Sequence, residues 1–178
     1  MPNCDGCELP TSRQKSKDNE AETLCGACTE LREGTPSVWV SPLESRELEL
    51  VLAWRSHPEV YANFRQQDGP LTWDEHVSWF ESRDTDRYDF IIHFDGRRVG
   101  AININQANEV GIFLGDFSAG GHGVATVTVE WLCQRFDYRA PLYAEVHDEN
   151  QASKRLFKRC GFQQRDADSD WIEYVYDP

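Results

Sequence analysis

The 178-residue sequence has no apolar run near 18 residues and no amino-terminal signal peptide. The first lack excludes a membrane-spanning helix, and together they predict a soluble, cytoplasmic protein. Lysine is scarce: Lys15, Lys17, Lys154 and Lys158 account for four of the 18 basic residues, and the other 14 are arginines. Against 31 acidic residues this leaves a net charge of −13, which argues against general electrostatic binding to nucleic acid. Many acids with few lysines is also a halophilic composition, because salt screens the repulsion; an ordinary acidic protein is the rival reading. No Gly-Lys-Ser/Thr ends a glycine loop, so there is no P-loop. No G-x-G-x-x-G follows an early βαβ unit, so a dinucleotide fold is excluded. Residues 1–30 have almost no hydrophobic residues besides Leu9 and Leu24. Such a segment cannot fold on burial alone.

That same segment holds four of the six cysteines. Cys4-x-x-Cys7 and Cys25-x-x-Cys28 are separated by 17 residues, the spacing of a structural Zn²⁺ site. Each pair makes a tight knuckle, and four thiolates close a tetrahedron whose metal supplies the missing folding free energy. Two disulfides or a redox pair are the alternatives, and a reducing cytosol argues against them. Residues 1–31 look like a zinc ribbon, and 31–37 read as a linker. The ribbon loop carries Arg13, Lys15 and Lys17 among Asp18, Glu20 and Glu22, with Asp5, Glu8 and Glu30 outside it. This balance favours a protein contact or a purely structural role.

The rest of the chain, 38–178, alternates strand and helix patterns. Val38–Val40 is a short strand and 44–54 an amphipathic helix with Leu48, Val51 and Leu52 inward. Pro58 opens a new helix, and Thr72-x-x-Glu75 is a capping box before Val77, Trp79 and Phe80. Strands at 88–94 and 98–105 are joined by Asp95-Gly96, a hairpin signal. A strand at 109–115 precedes DFSAGGHGVATVTVEWL, Asp116 to Leu132. In that stretch a glycine turn passes straight into a helix, aiming several N–H groups and a helix dipole at one point. A phosphate or pyrophosphate suits that point. A plain structural turn has the same appearance. Then come a strand at 142–146, a helix from Asn150 ending at Cys160-Gly161-Phe162, a turn at 166–170 and a closing strand at 172–176. Cys133 and Cys160 read as buried rather than nucleophilic.

The two stretches together resemble the Gcn5-related N-acetyltransferase (GNAT) family. Gly121-His122-Gly123-Val124-Ala125 matches its acyl-CoA motif, and Asn150, Ala152, Leu156, Phe157, Gly161 and Phe162 match its later motif. The resemblance implies an α/β (α+β) fold with a mixed central sheet flanked by helices, and acetyl-CoA as cosubstrate. It places the pantetheine arm along Ile112, Phe113 and Leu114, the pyrophosphate on the amides of 121–125, and Asn150 and Phe157 at the pantetheine end. Two positions depart from the family. Ser118 stands where an Arg or Gln is common, and Phe157 stands where a Tyr serves as general acid. Base candidates are Glu109 and Glu145, and Tyr143 is the candidate acid.

Trp54-Arg55-x-x-Pro58-Glu59-Val60, followed by Glu75-His76-x-x-Trp79-Phe80, is similar to the GNAT branch that acetylates amino sugar nucleotides on the route to pseudaminic-type acids. It implies a small-molecule amine acceptor, with Arg55 and His76 as acceptor-binding residues. Ribosomal-protein alanine acetyltransferases share the broad pattern. The alternatives are therefore a protein N-acetyltransferase docking its target through the ribbon, and a non-catalytic acyl-CoA adaptor.

Overall fold

Two antiparallel sheets that touch at one point form the frame. The structure, a computed structural model, describes residues 2–11, 23–168 and 170–178. The first sheet has the order β1-β2-β3-β4, with β1 Val38–Pro42, β2 Tyr88–Phe94, β3 Arg97–Ile104 and β4 Val110–Leu114. The hairpin between β2 and β3 turns at Asp95 and Gly96, whose φ values are 51° and 70°. Both are left-handed, as a two-residue hairpin turn requires. The second sheet has the order β5-β7-β6, with β5 Leu142–His147, β6 Gln163–Asp168 and β7 Trp171–Tyr176. The resemblance implies a mixed sheet. Every named strand pair is antiparallel, and among the described residues the parallel contact is the Glu109–Tyr143 bridge between the sheets.

Among the described residues, six helices cover the sheets: α1 Gly26–Glu33, α2 Leu48–Arg55, α3 Pro58–Tyr61, α4 Trp73–Glu81, α5 Val124–Arg135 and α6 Gln151–Arg159. Strand β2 shows why both faces of the first sheet need cover. Phe90 and Ile92 point into the main core with Val129, Trp131 and Leu132 of α5, while Ile91 points into a second cluster with Val51 of α2 and Trp79 and Phe80 of α4. Successive side chains leave a strand on opposite faces, so a strand covered on both sides reads as a continuous apolar run. The capping box at Thr72 is present: Thr72 Oγ1 accepts from Glu75 N at 3.3 Å, and Thr72 N donates to Glu75 Oε2 at 2.8 Å. None of these helices is long and apolar enough to cross a membrane.

Two elements depart from the sequence reading. Strand β6 occupies part of the expected 166–170 turn. The exposed side chains of residues 163–167, mostly polar, give no apolar alternation, and the strand pairs with β7. Helix α1 lies where a metal knuckle and a linker are expected. It is capped by Cys25, whose Sγ accepts from Cys28 N at 3.4 Å. Leu24, Ala27 and Leu31 are buried in the same cluster as α5, so the amino-terminal segment shares the core of the remaining chain. The loop charges Arg13, Lys15, Lys17, Asp18, Glu20 and Glu22 lie outside the described residues.

Candidate active site

Strand β4 is the edge of the first sheet, and β5 is the edge of the second. They meet at the Glu109–Tyr143 bridge, where Tyr143 N donates to Asn108 O at 2.9 Å. Beyond that bridge the two strands have no ladder between them, and a cavity of about 830 Å³ opens there. Ile112, Phe113 and Leu114 line one wall. Their outward backbone edge is an unpaired strand edge, which suits an extended ligand carrying amides.

Gly121, Gly123, Val124, Ala125 and Thr126 line the same cavity. Gly121 and Gly123 have φ of +78° and +79°, a region costly for any residue with a Cβ. That conformation lets Gly123 cap α5. The first amides of a helix have no partner within it, so those of Val124, Ala125 and Thr126 face the cavity end with the dipole's positive pole behind them. His122 is not brought there: it leans on Phe94, with ring centroids 5.7 Å apart. Ser118 is taken by Asp116, to which its Oγ donates at 2.6 Å.

Asn150 and Phe157 reach the cavity from α6. Asn150 caps that helix through Oδ1, accepting from Ser153 N at 3.0 Å, and its Nδ2 donates to Asn63 Oδ1 at 2.7 Å. Phe157 is buried edge-on against Phe162 at 5.0 Å. It has no proton to give. Tyr143, the expected acid, does not line the cavity, because it sits at the bridge where the strands still touch.

The two candidate bases both line the cavity but in different states. Glu145 is ion-paired at 2.6 Å with Arg65, and both side chains are more than a third exposed. Glu109 is half-buried, and its Oε2 accepts from Asn105 Nδ2 at 3.0 Å. Asn105 Oδ1 also accepts from Glu109 N at 2.9 Å. Arg139 fixes this turn by donating to Asn105 O at 2.6 Å and to Asn108 Oδ1 at 2.9 Å. Asn105 and Arg139 went unforeseen, since nothing local in sequence links residue 139 to 105–109.

Arg55 and His76 line the same cavity. Arg55, at the end of α2, donates to Gln67 Oε1 at 2.9 Å and lies over the Phe64 ring at 4.6 Å. Its Nε is buried without a hydrogen-bond partner. Burial first, and then the charge of Arg87, lowers its pKa below the ordinary value. His76 is buried, stacks on Trp79 at 5.3 Å, and has no hydrogen-bond partner at either nitrogen. Burial, with the Arg55 charge second, lowers its pKa, so it is neutral at pH 7. Beside them Asp89 is buried and bound by both Arg83 at 3.0 Å and Arg87 at 2.9 Å. A carboxylate directly before the apolar run Phe90-Ile91-Ile92 was the available sequence signal for this cluster.

The four amino-terminal cysteines form a separate group. All are buried and unbridged, and their sulfurs lie within 4.8 Å of one another. A tetrahedral Zn²⁺ with bonds of about 2.3 Å needs sulfurs about 3.8 Å apart, so one ion fits after small adjustment. The four thiols share hydrogen bonds: Cys25 and then Cys28 pull the Cys7 thiol down to about 6 and hold Cys4 low, while Cys28 is held high, by Cys25 first, and Cys25 is raised as well. Burial instead pushes the thiols of Cys133 and Cys160 up to about 12, which suits inert core residues.

A sequence model of the Acetyltransferase (GNAT) domain matches residues 38–163. The chain belongs to the GNAT acetyltransferase family. An uncharacterized protein of Methanocaldococcus jannaschii is 32% identical over 183 residues, covering 94% of this chain. The chain spans only 37% of that protein's length. The solved structure of a domain from M. jannaschii superposes with a TM-score of 0.72 at 30% identity, covering 78% of this chain and 97% of that one. The fold is also shared with an aminoglycoside acetyltransferase solved in complex with coenzyme A. That likeness has a TM-score of 0.66 at 12% identity, covering 78% of this chain and 95% of that one. The splay between β4 and β5, the capped start of α5, Arg55 and His76 all belong to the lining of this one cavity.

Proposed function

We propose that this GNAT domain acetylates the primary amine of a small anionic acceptor, an amino sugar nucleotide in the first place. The observation that carries the reading is Arg55: a half-buried guanidinium in the cavity wall with a buried, unbonded Nε and, among the described residues, no carboxylate in ion-pair range, since nearby Asp89 is bound by Arg83 and Arg87. A cation taken out of water without a directly paired counter-charge is costly, and a bound phosphate would supply both charge and hydrogen-bond acceptor. His76, neutral and with unused nitrogens, offers a second polar contact to the same acceptor.

Acetyl-CoA lies along Ile112–Leu114, with its pyrophosphate on the amides at the start of α5 and its pantetheine passing Asn150 and Phe157. A β4 backbone N–H polarises the thioester oxygen as it gains charge. Glu109 takes the ammonium proton, directly or through a water, so that a neutral amine attacks. The new N–C bond forms, the C–S bond breaks, and the coenzyme A thiolate leaves. The amine's second proton is released as the amide forms and reaches that thiolate through water, since Phe157 has no proton to give. Glu145 remains the alternative base, reached only by releasing Arg65. Zn²⁺ on Cys4, Cys7, Cys25 and Cys28 is the second part of the reading, supported by the sulfur geometry.

The test is acetyl-CoA turnover on nucleoside-diphosphate amino sugars, the matching uncharged amino sugars, and amino-terminal peptides. The nucleotide-linked amines are expected to show at least a tenfold lower KM. Arg55→Gln should raise that KM while leaving kcat within a few-fold. Equal use of charged and uncharged sugars, or a preference for peptides, overturns the reading.

A further inference from the structure

Helix α5 does two jobs at opposite ends. Its first turn presents amides to the cavity, and its last two turns lie on the cysteine cluster. Trp131 Nε1 donates to Cys28 Sγ at 3.3 Å, and both groups are buried. Arg135 Nη2 donates to Pro10 O at 2.9 Å, and Gln134 Nε2 donates to Glu30 Oε2 at 2.7 Å. Three successive polar anchors therefore run from α5 onto the segment that carries the thiolates. The amino-terminal segment also returns to the front of the helix: the nearest outside group to the Gly123 α-carbon's open face is Pro36, 3.5 Å from where a Cβ would sit.

Packing reinforces the anchors. Leu24, Ala27 and Leu31 are buried in one cluster with Val124, Val129 and Leu132. Trp131 continues inward, edge-on against Phe90 of β2 at 5.1 Å. The indole thus connects the thiolate cluster to the central sheet. An N–H directed at a thiolate is the hydrogen bond that orients a metal-bound sulfur and tempers its charge.

From these contacts we infer that the thiolate metal site is a structural part of the acetyl-CoA site, holding α5 in the position from which its first turn binds the pyrophosphate. The inference rests on Zn²⁺ occupying the four cysteines. Trp131 is the positioning residue that links the two. A separable docking knob would instead leave α5 anchored by the sheet alone. Binding coupled in this way is reciprocal: whatever Zn²⁺ adds to acetyl-CoA affinity, acetyl-CoA adds to Zn²⁺ affinity.

The reciprocity gives a test on the intact, folded chain. Zinc content is first measured in protein purified under a phosphine reductant. Zinc affinity is then measured by competition with a chromophoric chelator, with and without saturating acetyl-CoA, which has no free thiol to bind the metal itself. At least a tenfold tighter retention of Zn²⁺ with acetyl-CoA is expected. Trp131→Phe should keep one Zn²⁺ per chain but reduce that ratio to less than threefold. One Zn²⁺ per chain with the same affinity in both conditions overturns the coupling while sparing the metal assignment. Protein without bound metal overturns the metal assignment, and the coupling with it, while leaving the acetyltransferase reading intact.

Discussion

Glu109 is held by its neighbours rather than by its own strand. Asn105 contacts it twice, and Arg139 fixes the turn from another part of the chain. Glu109→Gln is therefore expected to lower kcat by about two to three orders of magnitude, the usual size of a general-base contribution, with acetyl-CoA affinity by calorimetry unchanged. Asn105→Ala should lower kcat by roughly tenfold and leave the KM for acetyl-CoA alone, as suits a residue that positions the base. An unaffected Glu109→Gln variant would transfer the role to Glu145. His93 sets a pH dependence of stability. It is 9% exposed, shares a 2.9 Å hydrogen bond with Ser41 Oγ, and is pushed by burial, then by Arg98, to about 4. Its unfolded value near 6.5 is higher, so the unfolded chain takes up the proton first. Its contribution is complete above pH 6.5 and is lost as pH falls from 6.5 towards 4, roughly 3 kcal/mol in all. In chemical denaturation, His93→Gln should flatten the stability curve across that window. An unchanged slope would place the acid sensitivity elsewhere.

The start of α5 is a conformational choice as much as a binding site. Gly123 adopts φ +79°, and a side chain there costs about 1–2 kcal/mol before any ligand is considered. Gly123→Ala is expected to lose that much stability and only modest affinity. Gly123→Asp adds a carboxylate where the amides converge and should abolish acetyl-CoA binding, with a melting temperature like that of the Ala variant. Calorimetry finding wild-type affinity in a folded Asp variant would remove the pyrophosphate from α5. At this scale the sequence was most readable. The hairpin at Asp95-Gly96, the Thr72 capping box, Pro58 at a helix start and the glycine entry to α5 are all local rules, and all appear. Strand β6 was missed because its side chains are exposed and its stability comes from a partner strand. Helix α1 was missed because cysteine spacing dominated the reading of its residues.

Across the whole molecule, the amino-terminal segment bears on stability, because it shares the main core. Composition predicts an appendage before a linker, with a core that begins near Ser37 folding alone. Leu24 and Leu31, both about 5% exposed, instead complete the cover over α5. Full burial of a leucine is worth about 1.5–3 kcal/mol, so the two together approach a large share of a typical domain's 5–15 kcal/mol. A chain begun at Ser37 is therefore expected to be poorly soluble or to melt at least 10 °C below the full chain. Equal melting temperatures, with acetyl-CoA bound as tightly, would restore the appendage.

The sequence by itself determined the family resemblance, the acyl-CoA turn, the four thiolates and the absence of a membrane-spanning helix. Each depends on residues close together in the chain, where local geometry dictates the outcome. Through that resemblance it also brought Arg55, His76, Glu109 and Glu145 into view. Only the tertiary structure set these four around one cavity, moved Tyr143 and His122 out of it, paired Glu145 with Arg65, and joined Trp131 to Cys28. Those outcomes depend on contacts across 80 and 103 residues of chain. Packing of distant surfaces decides such contacts, and no local propensity encodes them.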